Sequence, residues 1–588
     1  MKTALKIHVS GIVQGVGFRP FVYRQARLHL INGWVLNSAD GVHIHAEGEE
    51  DLVDQFCLAL SSEAPAASQV EEIEMKEVPL EGFETFEIRH SQDKKTSNAG
   101  ESAGQTLISP DLATCGDCAR ELFDKKDRRF RYPFINCTNC GPRFTIIGNL
   151  PYDRCYTSMS TFKMCSFCES EYKGQLDRRF HAQPNACFQC GPYISWIESE
   201  NLKRPEGAGF QGAGTSPLGP LLFGETREKS DEIISNCVQF LQDGKIVAIK
   251  GLGGFHLACD AANESAVTNL RQRKMRSNKA FAIMAPNLDA VKEICEVNST
   301  EAEILTGTAR PIVLLKRKES AKAQIAQSVF MGLPEIGVML PYTPLQHLLL
   351  HDFEGSGGKF LVMTSGNIYD NPIVTDDEKA YEVLADVADA FLGNNRPILA
   401  RYDDSVVRVI DAAGTQAVQM IRRARGYAPA PIKIKVEKPA EAFATGPEQK
   451  NTFAFMRPIA GDNAKANAEV FVSQHIGDVE NAEIFQTWEQ TKNQFEAIFK
   501  FKPTQFYCDM HPEYLTTKFL KLGSGTFLRK DPNFPKKVPD PNLRNLGKIG
   551  EVQHHYAHIR SVMYENCLQG PVCGFAFDGT GYGVDGLI

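Results

Sequence analysis

The sequence predicts a multidomain chain that combines α/β and α+β folds, and three observations lead there. At 588 residues it exceeds what one hydrophobic core serves. Polar stretches at 91–106 (SQDKKTSNAGESAGQT) and 201–219 (NLKRPEGAGFQGAGTSPLG), with the proline-rich GYAPAPIKIKVEKPA at 426–440, break it into four parts. Between the first two breaks, eight cysteines fall into four Cys-x-x-Cys pairs, each able to supply half of a tetrahedral metal site. The expected domains are residues 1–91, 107–195, 228–426 and 440–588.

In the first part, Leu5, Ile7 and Val9 alternate as in a half-buried strand. A glycine-rich loop follows through Gln14, Gly15, Val16, Gly17, Phe18 and Arg19, and Pro20 opens a helix. Strands are expected at 33–37, 42–46 and 83–89, with a helix near 50–60. This βαββαβ order suits a ferredoxin-like split sandwich. A strand, a loop of inward amides and a helix N-terminus make a cradle for an anion, to which Arg19 adds a forked guanidinium. The loop, its arginine and Asn37 on the next strand resemble the acylphosphatase signature. That resemblance implies that Arg19 and the amides of 14–18 hold an acyl phosphate while Asn37 orients the attacking water.

The cysteine pairs stand at 115/118, 137/140, 165/168 and 187/190, with gaps of 18, 24 and 18 residues. Both 18-residue halves end alike, in Cys140-Gly141-Pro142 and Cys190-Gly191-Pro192, so the segment is a duplicated unit. Between Cys115 and Cys190 there are three Leu, three Ile and no Val, too few aliphatic side chains for a core of their own. Two structural zinc ions are expected to make up the difference, at roughly 10–16 kcal/mol of apparent folding free energy each. Sequential pairing (Cys115, Cys118, Cys137, Cys140, then Cys165, Cys168, Cys187, Cys190) and interleaved pairing both satisfy tetrahedral geometry. Disulfides would need a secreted chain, and the start MKTALKIHVSG lacks a charged segment followed by an apolar run, so the cytoplasm is expected.

In the third part, the pattern over 233–250 reads as helix, turn and buried strand, and Lys250-Gly251-Leu252-Gly253-Gly254-Phe255-His256 follows at the strand end. Arg271, Arg273, Lys274, Arg276 and Lys279 crowd into nine residues, and Thr364-Ser365-Gly366-Asn367 follows the apolar run 360–363. A glycine loop, a cationic cluster and a hydroxyl/amide loop suit a nucleoside triphosphate. The combination resembles the YrdC-type twisted α/β fold over roughly 230–425, whose members bind ATP and make acyl-adenylates from carbamate-like acids. The resemblance carries over Lys250, Arg273, Arg276, Lys279, Ser365 and Asn367 as nucleotide-site residues. Two loops depart from that family: Lys279-Ala280-Phe281 in place of Lys-Pro-Phe, and 368–372 in place of Ser-Gly-Glu-Pro.

In the fourth part, His554 and His558 are spaced i, i+4 for one face of a helix. Asp578, within FAFDGTGYG, is expected at a strand end. Two imidazoles and a carboxylate suit iron or zinc with positions left open for a nucleotide phosphate. These motifs resemble the carbamoyltransferase module related to tRNA threonylcarbamoyl-transfer enzymes, built on an actin/Hsp70-type ATPase fold, and the resemblance gives His554, His558 and Asp578 as metal ligands. The sequence stops at Asp585-Gly586-Leu587-Ile588, inside a motif that continues in that family, so this domain is expected to be partial.

The four segments in this order resemble the HypF family, carbamoyltransferases of nickel–iron hydrogenase maturation. The resemblance implies cleavage of carbamoyl phosphate at Arg19 and Asn37, condensation of carbamate with ATP (as its magnesium complex) to carbamoyl-adenylate, and transfer to the C-terminal cysteine of a partner, HypE. Because free carbamate decomposes in water, an enclosed passage from the first to the third part is expected. A net charge of −8 argues against nucleic acid as the main partner, and no apolar run spans a bilayer. Two other readings use fewer of these features. An RNA-modifying or RNA-binding YrdC-type protein would need only the basic 271–279 cluster, and a small-molecule O-carbamoyltransferase would have no use for residues 1–195.

Overall fold

The computed structural model describes residues 2–587 apart from 39–40, 66–67, 90–106, 151, 176, 203–220, 277, 369–370, 413, 437–438, 460–466, 523–548 and 580. The linker expected at 91–106 and nearly all of that at 201–219 lie outside the described residues. Two units emerge: Met1–Tyr369 with Ile373–Tyr427, and Asp370–Pro372 with Ala428–Ile588.

Apolar alternation puts Ile7 and Val9 of the strand Lys2–Ile12 wholly inside. That strand lies between Gln69–Glu77 and Gly41–Glu49, and the sheet continues through Asn32–Ser38 to Phe86–Ile88. The helices Phe18–Leu28 and Glu50–Ser62 bury Phe21, Val22, Val53, Phe56 and Leu60. Two expectations need correction. The strand expected at 83–89 is only Phe86–Ile88, and Gln69–Glu77 is a further strand that the pattern did not reveal. As an edge strand it is largely exposed and carries charges where an interior strand carries aliphatics, so it shows no apolar period.

The duplicated cysteine segment folds as two matching halves. In each, the first cysteine (Cys115, Cys165) precedes a short helix, Gly116–Phe123 or Ser166–Lys173, whose first turn holds the second cysteine. The sulfurs of Cys115, Cys118, Cys137 and Cys140 converge, as do those of Cys165, Cys168, Cys187 and Cys190. Of the two pairings open from sequence, the structure takes the sequential one. Aliphatic poverty is met by aromatics: Tyr132, Phe134, Phe144 and Phe180 are buried.

Directly after Cys190 the chain enters the strand Ile194–Glu198, which pairs with Ala390–Asn394 in an eleven-stranded mixed sheet. At the centre of that sheet lie Val247–Lys250, Phe255–Asp260 and Leu361–Ser365. One apolar cluster runs from Tyr132, Phe134 and Ile135 of the first metal half to Ile249, Leu348 and Met363 of the sheet region. The metal segment is therefore part of the sheet domain's core rather than an appendage.

In the second unit, a six-stranded mixed sheet runs Ile432–Lys435, Asn467–Val472, Ala454–Pro458, Ala442–Ala444, Gln505–Asp509 and Ile549–Val552. Its core is aromatic, with Phe443, Phe453, Phe455 and Trp488 in mutual contact. The strand expected before Asp578 is absent among the described residues. Phe575 and Phe577 are 76% and 99% exposed, and no described strand pairs with them.

Candidate active sites

At the end of Lys2–Ile12 the chain turns through Gly15 (φ 74°) and Gly17 (φ 77°), left-handed conformations that glycine adopts without strain. Buried Gln14 sets the loop's shape by donating to the carbonyls of Ser38 (2.7 Å) and Gly41 (3.0 Å), and Val16 and Phe18 anchor it in the core. Among the described residues, the amides of Gly15, Val16, Gly17, Phe18 and Arg19 donate to no protein acceptor. The half-buried Arg19 guanidinium has no hydrogen bond or ion pair there either. Burial holds its pKa below the usual arginine value, with Asp153 and Tyr172 opposing at longer range. Buried Asn37 lines one cavity together with Gly15, Gly17 and Arg19, and its Oδ1 is without a hydrogen-bond donor. A row of free amides, an uncompensated guanidinium and an unsatisfied amide group make a site built for an anion and a water.

The far wall of this cavity comes from the metal segment, including Thr138, Arg143, Tyr152 and Gln183. Arg143 donates through Nε to the Gly15 carbonyl at 2.6 Å, and a Cβ on Gly17 would stand 2.9 Å from Asn139 Oδ1. Sequence reading did not single out these covering residues, because nothing local ties them to the loop.

Neighbouring sulfurs in the two clusters lie 3.5–3.8 Å apart. Four sulfurs about 2.3 Å from one ion stand about 3.8 Å apart, so each cluster fits a closed tetrahedral zinc site. The arginines of the repeated Asp-Arg-Arg-Phe cross between the halves. Arg178 of the second half donates to Cys118 Sγ (2.9 Å) and pairs with Glu121, while Arg128 of the first donates to Cys168 Sγ (3.0 Å) and pairs with Glu171. Arg129 and Arg179 repeat the exchange, on Glu171 with Asn185 and on Glu121 with the Asn136 carbonyl. Such donors stabilise the thiolate form that a metal needs. Arg178→Ala is accordingly expected to weaken metal binding at the first cluster by roughly 10–100-fold. Competition with a coloured chelator, resolving the two ions, checks it; equal retention at both clusters would count against it.

In the sheet domain only some of the expected nucleotide residues come together. Ser365 donates to Asn367 Oδ1 (2.7 Å), and the ammonium beside them belongs to Lys274, bonded to the Ser365 carbonyl (2.6 Å) and to Asn367 O and Oδ1 (2.5 and 2.6 Å). Arg276 reaches Thr364 Oγ1 at 3.5 Å and lies over Phe281. In the sequence Lys274 is one cation among five, yet it is the buried one at this loop. Burial, with Arg276 adding repulsion, pushes its pKa down to about 7. Arg273 turns elsewhere, to Asp389 (2.8 Å) and the Val387 carbonyl, because its place on the helix Glu264–Arg273 faces away from the loop. The Lys279 side chain is exposed, and its carbonyl takes Arg271 and Arg276 instead. Lys250, 5% exposed, donates to Asp377 (2.9 Å) and the Asn394 carbonyl (2.9 Å).

In the second unit, the helix His554–Glu565 places His554 and His558 on one face. Asp578 Oδ2 lies 2.7 Å from His554 Nε2 and 3.3 Å from His558 Nε2, and the two imidazole nitrogens are 3.1 Å apart. Ligand atoms about 2.0–2.2 Å from one ion stand about 3–3.5 Å apart; the 3.1 and 3.3 Å separations match, and the 2.7 Å one is that of a direct hydrogen bond, so the three groups converge where a divalent metal could be held. Asp509, at the end of Gln505–Asp509, takes His554 Nδ1 at 2.8 Å and fixes the ring. Burial lowers the His554 pKa, but Asp509 and Asp578 outweigh it and hold it above the usual imidazole value.

Four family profiles match in series: Acylphosphatase over residues 5–88, HypF finger over 114–147 and 164–197, Telomere recombination over 239–424, and HypF Kae1-like domain over 437–565. Carbamoyltransferase HypF of Synechocystis sp. is 40% identical over 590 residues, covering 100% of this chain and 67% of that protein. The chain belongs to the HypF carbamoyltransferase family. A crystal structure of full-length HypF in the phosphate- and nucleotide-bound form matches with a TM-score of 0.80 and 40% identity, over 100% of this chain and 68% of that one. The first domain is also 48% identical over 88 residues to the acylphosphatase of Archaeoglobus fulgidus, 15% of this chain and 98% of that protein. The chain spans about two thirds of the length of the HypF relatives it matches. No described helix is long and apolar enough to cross a membrane.

Proposed function

We propose that this chain performs the carbamoyl-activating steps of HypF: it cleaves carbamoyl phosphate at the acylphosphatase domain and condenses the carbamate with ATP in the YrdC-like domain. The observation that carries the reading is the uncompensated Arg19 guanidinium, set beside five undonated amides and the unsatisfied Asn37 around one cavity. Arg19 and the loop amides hold the phosphoryl oxygens, and Asn37 holds a water in line with phosphorus. Water attacks phosphorus, the bond from phosphorus to the carbamoyl oxygen breaks, and carbamate leaves with the electron pair. Both water protons stay on the phosphate product.

In the second step a carbamate oxygen attacks the α-phosphorus of ATP, entering as its magnesium complex, and pyrophosphate leaves. Lys274 and Arg276 beside Ser365 and Asn367 are the cations best placed for the triphosphate; Lys250 is paired with Asp377 and Arg273 with Asp389, and Lys279 is exposed. A Lys274 pKa near 7 carries a sign. A polyanion beside the ammonium raises that pKa, so nucleotide binding above pH 7 takes up a proton and weakens as pH rises, by up to about tenfold per unit. Calorimetry in buffers of differing ionisation enthalpy should show this uptake in the unmodified chain and none in Lys274→Met; uptake unchanged by the substitution would sink the assignment.

The third step is proposed for the Kae1-like domain: a thiolate, the C-terminal cysteine of HypE, attacks the carbamoyl carbon and AMP leaves, forming a carbon–sulfur bond. His554, His558 and Asp578 would hold an iron or zinc ion, which supplies positive charge for the adenylate phosphate when bound. Zinc at the two four-cysteine clusters is proposed as structural, since a closed thiolate tetrahedron leaves no position for substrate. An enclosed route for carbamate is supported by the placement of two cavities that both border the segment around Gly141, Pro142 and Arg143. The test is exchange of labelled pyrophosphate into ATP, dependent on carbamoyl phosphate, followed by mass analysis of HypE. Exchange without carbamoyl phosphate, or none with it, rejects the reading.

A further inference from the structure

The second of those cavities contains a charge that the steps above leave unused. It is lined by Lys250, Gly251, Asn394 and Arg396 of the sheet domain and by Gly141 and Pro142 of the first metal half. Arg396 is 8% exposed, yet among the described residues its guanidinium makes no hydrogen bond or ion pair; its only contact of that kind is the face of Phe134, 5.3 Å from the ring centre. Its backbone is fixed, since Asn394 Oδ1 accepts the Arg396 backbone amide (3.1 Å), and the Asn394 carbonyl accepts Lys250 Nζ (2.9 Å) beside it. Lys250 is neutralised by Asp377 at 2.8 Å. The carboxylate nearest in effect to Arg396 is Asp111, which accepts the backbone amides of Arg143 (2.6 Å) and Thr145 (3.2 Å) instead. One buried positive charge is therefore left without an anion in contact, a costly arrangement unless something fills it.

The surroundings narrow what would fill it. The N-terminal end of the helix Pro344–Gly355 borders the same cavity and adds partial positive charge. Lys274, Arg276, Ser365 and Asn367 do not line it, so it is separate from the triphosphate cations. On the other side, Tyr152 lines the first cavity and donates to the Pro142 carbonyl at 3.3 Å, so the Pro142 turn is shared between the two spaces. The fork accepts carboxylate or phosphate, but one uncompensated charge, away from Lys274 and Arg276, suits a small singly charged carboxylate better than a polyanionic phosphate chain.

We infer that Arg396, supported by Lys250, is a binding site for a small planar anion of the carbamate class, where the product of the first site waits before it meets ATP. The inference rests on the proposed order of reactions and goes beyond it in naming a residue that neither cleaves carbamoyl phosphate nor binds the triphosphate. Arg396 is thus a positioning residue for the second step.

Bicarbonate, the stable isostere of carbamate, is the probe. Titrated into the full chain as the ¹³C form and followed by carbon relaxation, it should bind about tenfold more weakly to R396Q than to the unmodified chain and lie between for R396K. In turnover, pyrophosphate formed per phosphate released from carbamoyl phosphate should fall about tenfold in R396Q, the lost carbamate appearing as ammonia. Equal bicarbonate affinity and equal coupling in R396Q, R396K and the unmodified chain overturn the inference. Should R396Q fail to fold, R396K decides on the same two readings. If the unmodified chain releases no phosphate from carbamoyl phosphate, the first-site reading has failed while the bicarbonate titration still judges Arg396.

Discussion

Replacing Arg19 with alanine is expected to slow phosphate release from carbamoyl phosphate by about 10²–10³-fold, the loss that follows removal of one positioned donor from a charge-stabilising site. The physical ground is that Arg19 does no structural work that alanine would undo. It forms no ion pair or hydrogen bond among the described residues, and burial already depresses its pKa. The variant should accordingly melt at the same temperature or slightly higher. Lysine at this position restores charge without the fork and should recover only part of the rate. Phosphate assays beside thermal melts separate the outcomes: a rate loss that merely tracks a fallen melting temperature, or an unaltered rate, would refute the role assigned to Arg19.

The second large effect concerns the metal segment. Cys118→Ser is expected to remove one metal ion per chain and to open residues 107–195 to proteases. Structural zinc contributes roughly 10–16 kcal/mol in small modules, as much as the whole stability of an ordinary domain. Here the damage should spread, because Tyr132, Phe134 and Ile135 of this segment share a core with Ile249 and Met363 of the sheet domain. It should also reach the anion loop, whose Gly15 carbonyl is held by Arg143. Elemental analysis with limited proteolysis reads both. A metal-free chain as protease-resistant as the loaded one would contradict this account.

Much of this could be read along the chain, where the chemistry is local. The glycine loop with Arg19 and the cysteine spacing each lie within a few residues, so their patterns survive without a fold. Residues that act across elements left no such trace. Lys274 stands among four other cations, and only burial against Ser365 and Asn367 distinguishes it. Arg396 sits in an ordinary Asn-Arg-Pro turn, and its isolation appears only when the first metal half closes over it. The pairing of cysteines was undetermined because tetrahedral geometry accepts either arrangement; burial of each helix with its own later pair decided it. Gln69–Glu77 went unseen since an edge strand need not alternate.

The crossing arginines set the order in which this segment can be assembled. Glu121 is neutralised by Arg178 and Arg179, and Glu171 by Arg128 and Arg129, partners some forty to sixty residues away in the opposite half. During synthesis the first four cysteines emerge before the arginine that steadies their thiolates exists, so the first ion is held loosely until the second half arrives. The first site is thus expected to gain about 10–100-fold in affinity once both halves are present, and a chain carrying a single half would inherit a half-buried carboxylate with no counter-charge. Deleting one copy would therefore also remove the counter-charges of the other.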